Sequence, residues 1–392
     1  MKILYFEMRK SWLRLPIFLA LIVMSSLSVF KLYGECRSAN TRRNGAGKEW
    51  YWSAYTQYRG ELSEDKIAEF RAASNALSAQ YNGGNYNPEY DDKYITGYLA
   101  GDYVLLNVDI KREITYAVMY PNISNRIAAK ALENVELYDK IGMSYEAARN
   151  RLICQAYQNR SILEYRTTFW AEIFFDYDFS SLLCVIMLVA GLSACYTNEK
   201  ESGMETLIKA ADKKVKTDFA KISSAAVYSA FLSFYFSFCD LLSLNIIVGV
   251  DGLNMPIYSV ETLQRSPFGF SLLSAVFLWI ITRFIALFLI SLIILLVSKI
   301  APNTVISIVI GFALSLILMI ISSSNKGILN PFCALNPGTY ITEFLAFDFL
   351  GYPILTAYAV LAIMVMESAV LVFLNVFSDK FSKVVRSCFE RK

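Results

Sequence analysis

Hydrophobic and polar positions are unevenly spread, and six long apolar runs predict membrane-spanning helices over 15–30, 179–196, 222–248, 268–298, 304–322 and 354–377. Each reaches or approaches the ~20 residues a helix needs to cross a bilayer core. Before the first run, Met1, Leu4, Met8, Trp12 and Leu15 share one helical face while Lys2, Arg9 and Lys10 lie elsewhere. Basic charge beside an apolar stripe suits a helix lying in an anionic lipid interface. A cleaved signal peptide is the competing reading of this start, but no small-x-small site follows the run, so an uncleaved first span is expected.

Between the first two runs lies the one sizeable polar region, 34–175, long enough for one small domain. A helix is predicted over 60–81, with Ser63 as N-cap and Glu64 and Asp65 opposing the helix dipole in the first turn. Asn82-Gly83-Gly84-Asn85 ends it. Residues 107–111 alternate polar and apolar, which fits a strand or part of a helix. Two more helices are predicted over 124–140 and 144–168, separated by Gly142, the second entering the membrane through an interfacial aromatic belt at Phe169 and Trp170. The expected fold is an all-α membrane protein. Residues 1–33 supply an interfacial helix and the first span, 34–175 a mostly helical extracellular domain, and 176–392 spans two to six.

Composition agrees: 55% of residues are hydrophobic and only 18% charged, unlike an ordinary soluble chain. Histidine is absent, which excludes imidazole catalysis and histidine metal sites. No nucleophile-and-base pattern or cofactor signature stands out, so no catalytic, metal or cofactor site is expected. The tyrosine-rich 34–175 region is nearly neutral and carries no nucleic-acid footprint. Seven cysteines form no CxxC pair; Cys36 and Cys154 fall in the same region and could form one disulfide. The net charge of +3 hides an asymmetry, because the short flanks on one side hold sixteen lysines and arginines and those on the other hold Arg265 and Lys326. The positive-inside rule then puts both termini and the 198–221 segment in the cytoplasm and 34–175 outside.

The 198–221 segment, NEKESGMETLIKAADKKVKTDFAK, is charged and wedged between two apolar runs. Met204, Leu207, Ile208 and Ala211 recur at helical spacing and form one apolar stripe. The other faces hold Glu201, Glu205, Lys209, Asp212 and Lys213, with Glu205 and Lys209 ordered for an i,i+4 pair. Such a helix can lie in lipid or dock in a groove on a soluble partner. Glu199, Glu201 and Glu205 would be repelled by an anionic leaflet, which favours the protein partner.

Glu-x-Glu-x-Gly-x-x-x-Leu-Ile (Glu199, Glu201, Gly203, Leu207, Ile208), just after the second run, resembles the membrane subunits of ATP-binding-cassette transporters of the type-2 exporter family. Met204 stands where the family usually has threonine. The resemblance follows the span order throughout, with sharp identity confined to this segment. It implies that 199–213 is a coupling helix seated in a cleft of an ABC ATPase subunit. It further implies a second permease, as a homodimer or a sister subunit, in a bacterial cell membrane. ATP would be bound by the partner, because the only phosphate-loop look-alike, 44–49, lacks the leading glycine and the Ser/Thr after Lys48.

Asp240, Arg283 and Glu367 are charged groups inside apolar runs, positions that usually find partners or line a cavity. At 1.5 Å per residue, Arg283 lies roughly 22 Å and Glu367 roughly 20 Å down their spans, depths that permit a pair near the midplane, with Asp240 nearer the outer leaflet. The loop 323–353 is too apolar to be freely solvated, and short re-entrant helices or packing on its own domain would both explain it. The function expected is a permease moving an apolar or amphipathic cargo (peptide, antibiotic or lipid-like) outward. The alternatives are a membrane sensor whose outer domain binds a ligand, and an ion-coupled secondary transporter, which would show related halves not seen here.

Overall fold

A computed structural model describes residues 2–39, 48–82, 110–210, 214–324, 330–335 and 338–389. The described chain is mostly helical and includes six helical stretches long and apolar enough to cross a membrane. Helix α1 (Lys2–Ser11) turns at Trp12–Arg14 into α2 (Leu15–Ala39), the first candidate span, which tolerates Pro16 in its first turn. After 40–47, α3 (Lys48–Tyr58), β1 (Gly60–Glu61) and α4 (Glu64–Asn82) follow. Ser63 caps α4 as its position predicts, its Oγ accepting from Lys66 N at 3.3 Å. Residues 107–109 and most of the 44–49 look-alike lie outside the described residues.

Helix α5 (Lys111–Lys140) starts well before residue 124 and carries Pro121 within it. It pairs with α6 (Ser144–Tyr157) around Gly142, whose φ of +74° suits a residue without a Cβ. The expected 144–168 helix is corrected here: it stops at Tyr157, Asn159 turns left-handed, and the chain runs extended into β2 (Glu164–Tyr165), antiparallel to β1. Tyr55, Tyr58, Phe70, Ile110, Ile114 and Tyr165 form a small core of this region.

The second candidate span combines α7 (Phe169–Asp176), α8 (Phe179–Leu192) and α9 (Ala194–Glu201). Trp170 is fully buried and donates to Asp251 O at 2.7 Å, so it belongs to the core rather than to an interfacial belt. The short helix α10 (Met204–Ala210) precedes α11 (Lys214–Ile247), which begins eight residues ahead of its apolar run. Two 3₁₀ turns at Ile257–Ser259 and Glu261–Leu263 lead to α12 (Leu272–Ile300), capped by Ser271. Helix α13 (Thr304–Ser324) follows Pro302.

In the apolar loop, α14 (Pro331–Leu335) packs on α12 and α13, and α15 (Gly338–Thr342) follows. Leu335 O accepts from Ser181 Oγ at 3.1 Å, so this irregular backbone is satisfied by protein. The hairpin β3 (Ala346–Phe349) and β4 (Tyr352–Leu355) leads into α16 (Thr356–Phe389). The second and fourth candidate spans are the inner ones; the first and fifth expose most of their surface.

Candidate functional site

The site grows from five consecutive residues at the end of α9. Gly203, at φ +70°, separates α9 from α10, where a side chain would be strained. Before it, Lys200 Nζ donates to Lys299 O (2.6 Å) and Ala301 O (2.7 Å), covering orphan carbonyls at the C-terminus of α12. Glu201 Oε1 accepts from Thr304 N at 2.7 Å, and Thr304 Oγ1 meets Thr197 Oγ1 at 2.8 Å and Asn198 Oδ1 at 3.3 Å. A cation thus sits at one helix's C-terminus and an anion at the next helix's N-terminus, each on the favourable end of the dipole.

Glu199, between them, points into the protein. It accepts from Lys10 of α1 at 2.5 Å and from Lys221 of α11, which is itself buried with its ammonium 4.0 Å from the Tyr196 ring centroid. Beside it Lys299 reaches Asp218 at 3.4 Å and donates to Asn375 O of α16. Glu7 of α1 is buried in the same place; burial raises its carboxyl above the usual range, against the opposing pull of Lys221 and Lys10. Glu199 and Asp218 thus pair with Lys10, Lys221 and Lys299 where α1, α9, α11, α12 and α16 converge, with the Glu7 carboxyl buried beside them.

Helix α1 is fixed here by packing as well. Trp12 is buried, stacks on Tyr228 at 4.8 Å and donates to Ser224 Oγ at 3.2 Å. The stripe expected to face lipid is thus corrected at Trp12, which packs on protein, while Leu15 of the same stripe is exposed, as are Ile3, Tyr5, Phe6 and Leu13.

Of the residues singled out in 199–211, Glu199 turns inward, and Glu201 stays exposed while bonding the N-terminus of α13. The stripe of α10 points away: Leu207 is 62% and Met204 47% exposed, while Ile208 and Glu205 are half-buried. Ala211, Asp212 and Lys213 lie outside the described residues. The missed partners, Lys10, Asp218, Lys221 and Lys299, flank the apolar runs, where charge also reads as ordinary solvated surface.

Inside the bundle, the Arg283–Glu367 pairing is corrected. Arg283, fully buried, lies 4.0 Å from Asp240 Oδ2 and donates to Ser237 (3.2 Å), Ser180 (3.1 Å) and Cys184 Sγ (3.2 Å). Asp240 accepts in turn from Ser28 Oγ at 3.2 Å, so the first four candidate spans share one polar cluster. Glu367 is half-buried on α16, and its Oε2 has no hydrogen-bond partner among the described residues. Cys36 and Cys154 are not bonded to each other: the first is buried in the main core at the end of α2, the second half-buried on α6.

At the opposite end, α5, α6 and the extended run are fastened to the loop before α12. Tyr116, Tyr120, Tyr157 and Arg160 donate to the carbonyls of Tyr258 (2.6 Å), Gln264 (3.0 Å), Arg265 (2.5 Å) and Ser266 (2.9 Å). Arg160 lies between the Tyr157 and Tyr258 rings, 4.4 and 4.6 Å from their centroids. Burial pushes the Tyr157 hydroxyl up to about 12, so it stays a donor at neutral pH. No family model and no curated protein matches this chain.

Proposed function

We propose that the chain is the membrane subunit of an ATP-driven exporter of the type-2 kind, with α10 as the helix on which a separate ATPase docks. The observation that carries this reading is the contrast within one segment. Met204 and Leu207 stand exposed on α10, while residues 197–201, directly before it, are bonded to α1, α11, α12 and α13. A push on α10 would act on four helices through short polar contacts rather than through a slack loop. Transport would follow where the two nucleotide states of the ATPase contact α10 differently, since only differential contact shifts an equilibrium.

In this reading α1, residues 197–213 and both termini face the cytoplasm, and the region between the first two spans lies outside. Two copies, or one copy and a sister permease, would enclose a path for an apolar or amphipathic cargo, with two ATPase chains beneath. The test is a pull-down of the full chain in nanodiscs against its host's soluble proteins. A stoichiometric ATP-binding partner is expected, and Leu207→Asp should abolish its retention without changing the elution volume of the membrane subunit. Undiminished retention by the variant would sink the docking role.

A further inference from the structure

Helix α1 has two unlike sides. On the inward side Glu7 and Ser11 are buried, Lys10 holds Glu199 at 2.5 Å and Trp12 stacks on Tyr228. On the outward side Ile3, Phe6 and Arg9 follow one another at three-residue spacing and are all exposed, with Tyr5 four positions before Arg9. Side chains three and four apart are neighbours on a helix surface, so these residues form one continuous patch.

Only Trp12–Arg14 separate α1 from the first candidate span, so the patch lies at the end of a helix that crosses the bilayer. Exposed apolar side chains continue across the turn, through Leu13 and Leu15 to Phe18 and Ile22 of α2. That continuity with the outer surface of a span favours lipid over a soluble protein as what covers the patch. Two cations stand in it. Arg9 and Arg14 are exposed, and neither side chain forms an ion pair or hydrogen bond with any described residue. Glu7 is the one carboxylate ahead of Glu35, and it is buried on the other side, so the charge of the patch is positive. Apolar side chains beside unpaired cations suit a surface of anionic lipid.

We propose that the outward face of α1 is a binding site for an anionic phospholipid, its headgroup taken by Arg9 and Arg14 and its upper acyl carbons by Ile3, Phe6 and Leu13. A guanidinium matches a phosphate with paired N–H donors, and the net charge of the headgroup separates an anionic lipid from one whose own ammonium cancels its phosphate. Lipid on one side and Glu199 on the other would then grip α1 together, so headgroup charge acts on the network that anchors 197–201. The proposal rests on the first span crossing a bilayer and not on the exporter reading.

The experiment uses the full chain in phosphatidylcholine nanodiscs holding a trace of phosphatidylglycerol with a photoreactive headgroup, the cross-links being mapped by mass spectrometry. Labelling at 3–14 should saturate as the probe fraction rises. Unlabelled phosphatidylglycerol should displace it, and phosphatidylethanolamine, which has no net charge, should require about tenfold more. Arg9→Gln and Arg14→Gln should each lower the labelling by about threefold to fivefold, and the double variant by about tenfold or more, at unchanged elution volume. Absence of labelling at 3–14, equal displacement by phosphatidylethanolamine, or a double variant labelled like the parent would overturn the proposal.

Discussion

Neutralising Glu199 tests the charge network most directly. Glu199→Gln keeps the shape of the side chain but removes the negative charge that both Lys10 and Lys221 contact. Lys10 is 21% exposed and can turn to water, whereas Lys221 is 1% exposed and cannot. Removing one partner of a buried pair costs about 3–5 kcal/mol. The Tyr196 ring, 4.0 Å from the Lys221 ammonium, stays in place and offsets up to about 2 kcal/mol of that. The expected net loss is about 1–3 kcal/mol, read as a fall of about 1–4 °C in the apparent Tm of a chain this size. Lys221→Met removes the stranded charge, so the double variant Glu199→Gln, Lys221→Met should recover at least half of the loss, because a buried pair is often replaceable by apolar groups. The assay is the monodisperse fraction remaining after heating in detergent, measured for the parent, both single variants and the double. An apparent Tm of Glu199→Gln within 1 °C of the parent, or a double variant showing the full sum of the single losses, would refute the reasoning.

Glu7→Gln should raise thermal resistance at neutral pH, because a carboxyl with a raised folded-state value contributes stability below about 4.5 that is lost as pH rises through that value; a pH series of apparent Tm should flatten in the variant. Gly191→Ala puts a Cβ 2.6 Å from Tyr228 Cε1, in a ring already held by Trp12 and by its hydroxyl's bond to Met187 O, so overpacking should cost about 1–3 kcal/mol. Its signature is a loosened α1, measured as faster proteolysis between Ser11 and Leu15. Arg160→Ala leaves Ser266 O without its donor and opens the tyrosine stack, so amide exchange should rise in 256–266 and leave 214–230 unchanged.

The axial layout of the helices was readable because apolar length and capping residues are local: Ser63 before Glu64-Asp65, Gly142 between two helices and Pro302 before Thr304 all mark boundaries near those found. Rotation about each axis was not readable. Helices α8 and α12 are apolar nearly all round, so no stripe says which side faces which neighbour, and depth counted along the chain points Arg283 to Glu367 rather than to Asp240. The helix that ends at Tyr157 shows a related limit, since what pulls the chain straight afterwards is long-range: Arg160 meets Ser266, and Glu61 faces Glu164.

The same limit explains why Glu199 and Glu201 read in the sequence only as acidic residues that favour a protein partner over lipid. The side chains of Lys10 and Lys221 and the backbone N–H of Thr304, between 22 and 189 positions away, are what engage them. Only Met204 and Leu207 keep the exposure that periodicity assigns them, and they do so because α10 packs on little besides α9. Firm anchoring of 197–201 and exposure of α10 are therefore two consequences of one arrangement. The acidic residues spend their charge on helix ends and buried lysines, which frees the apolar stripe to meet something else. In the proposed exporter this division makes separate predictions for separate residues. Leu207→Asp should break ATPase association in a stable protein, and Glu199→Gln should keep the ATPase bound but weaken the link between α10 and the spans, read as ATP hydrolysis uncoupled from transport. Loss of association in both variants would mean that α10 is held in its docking pose by the charge network, and would merge the two roles into one.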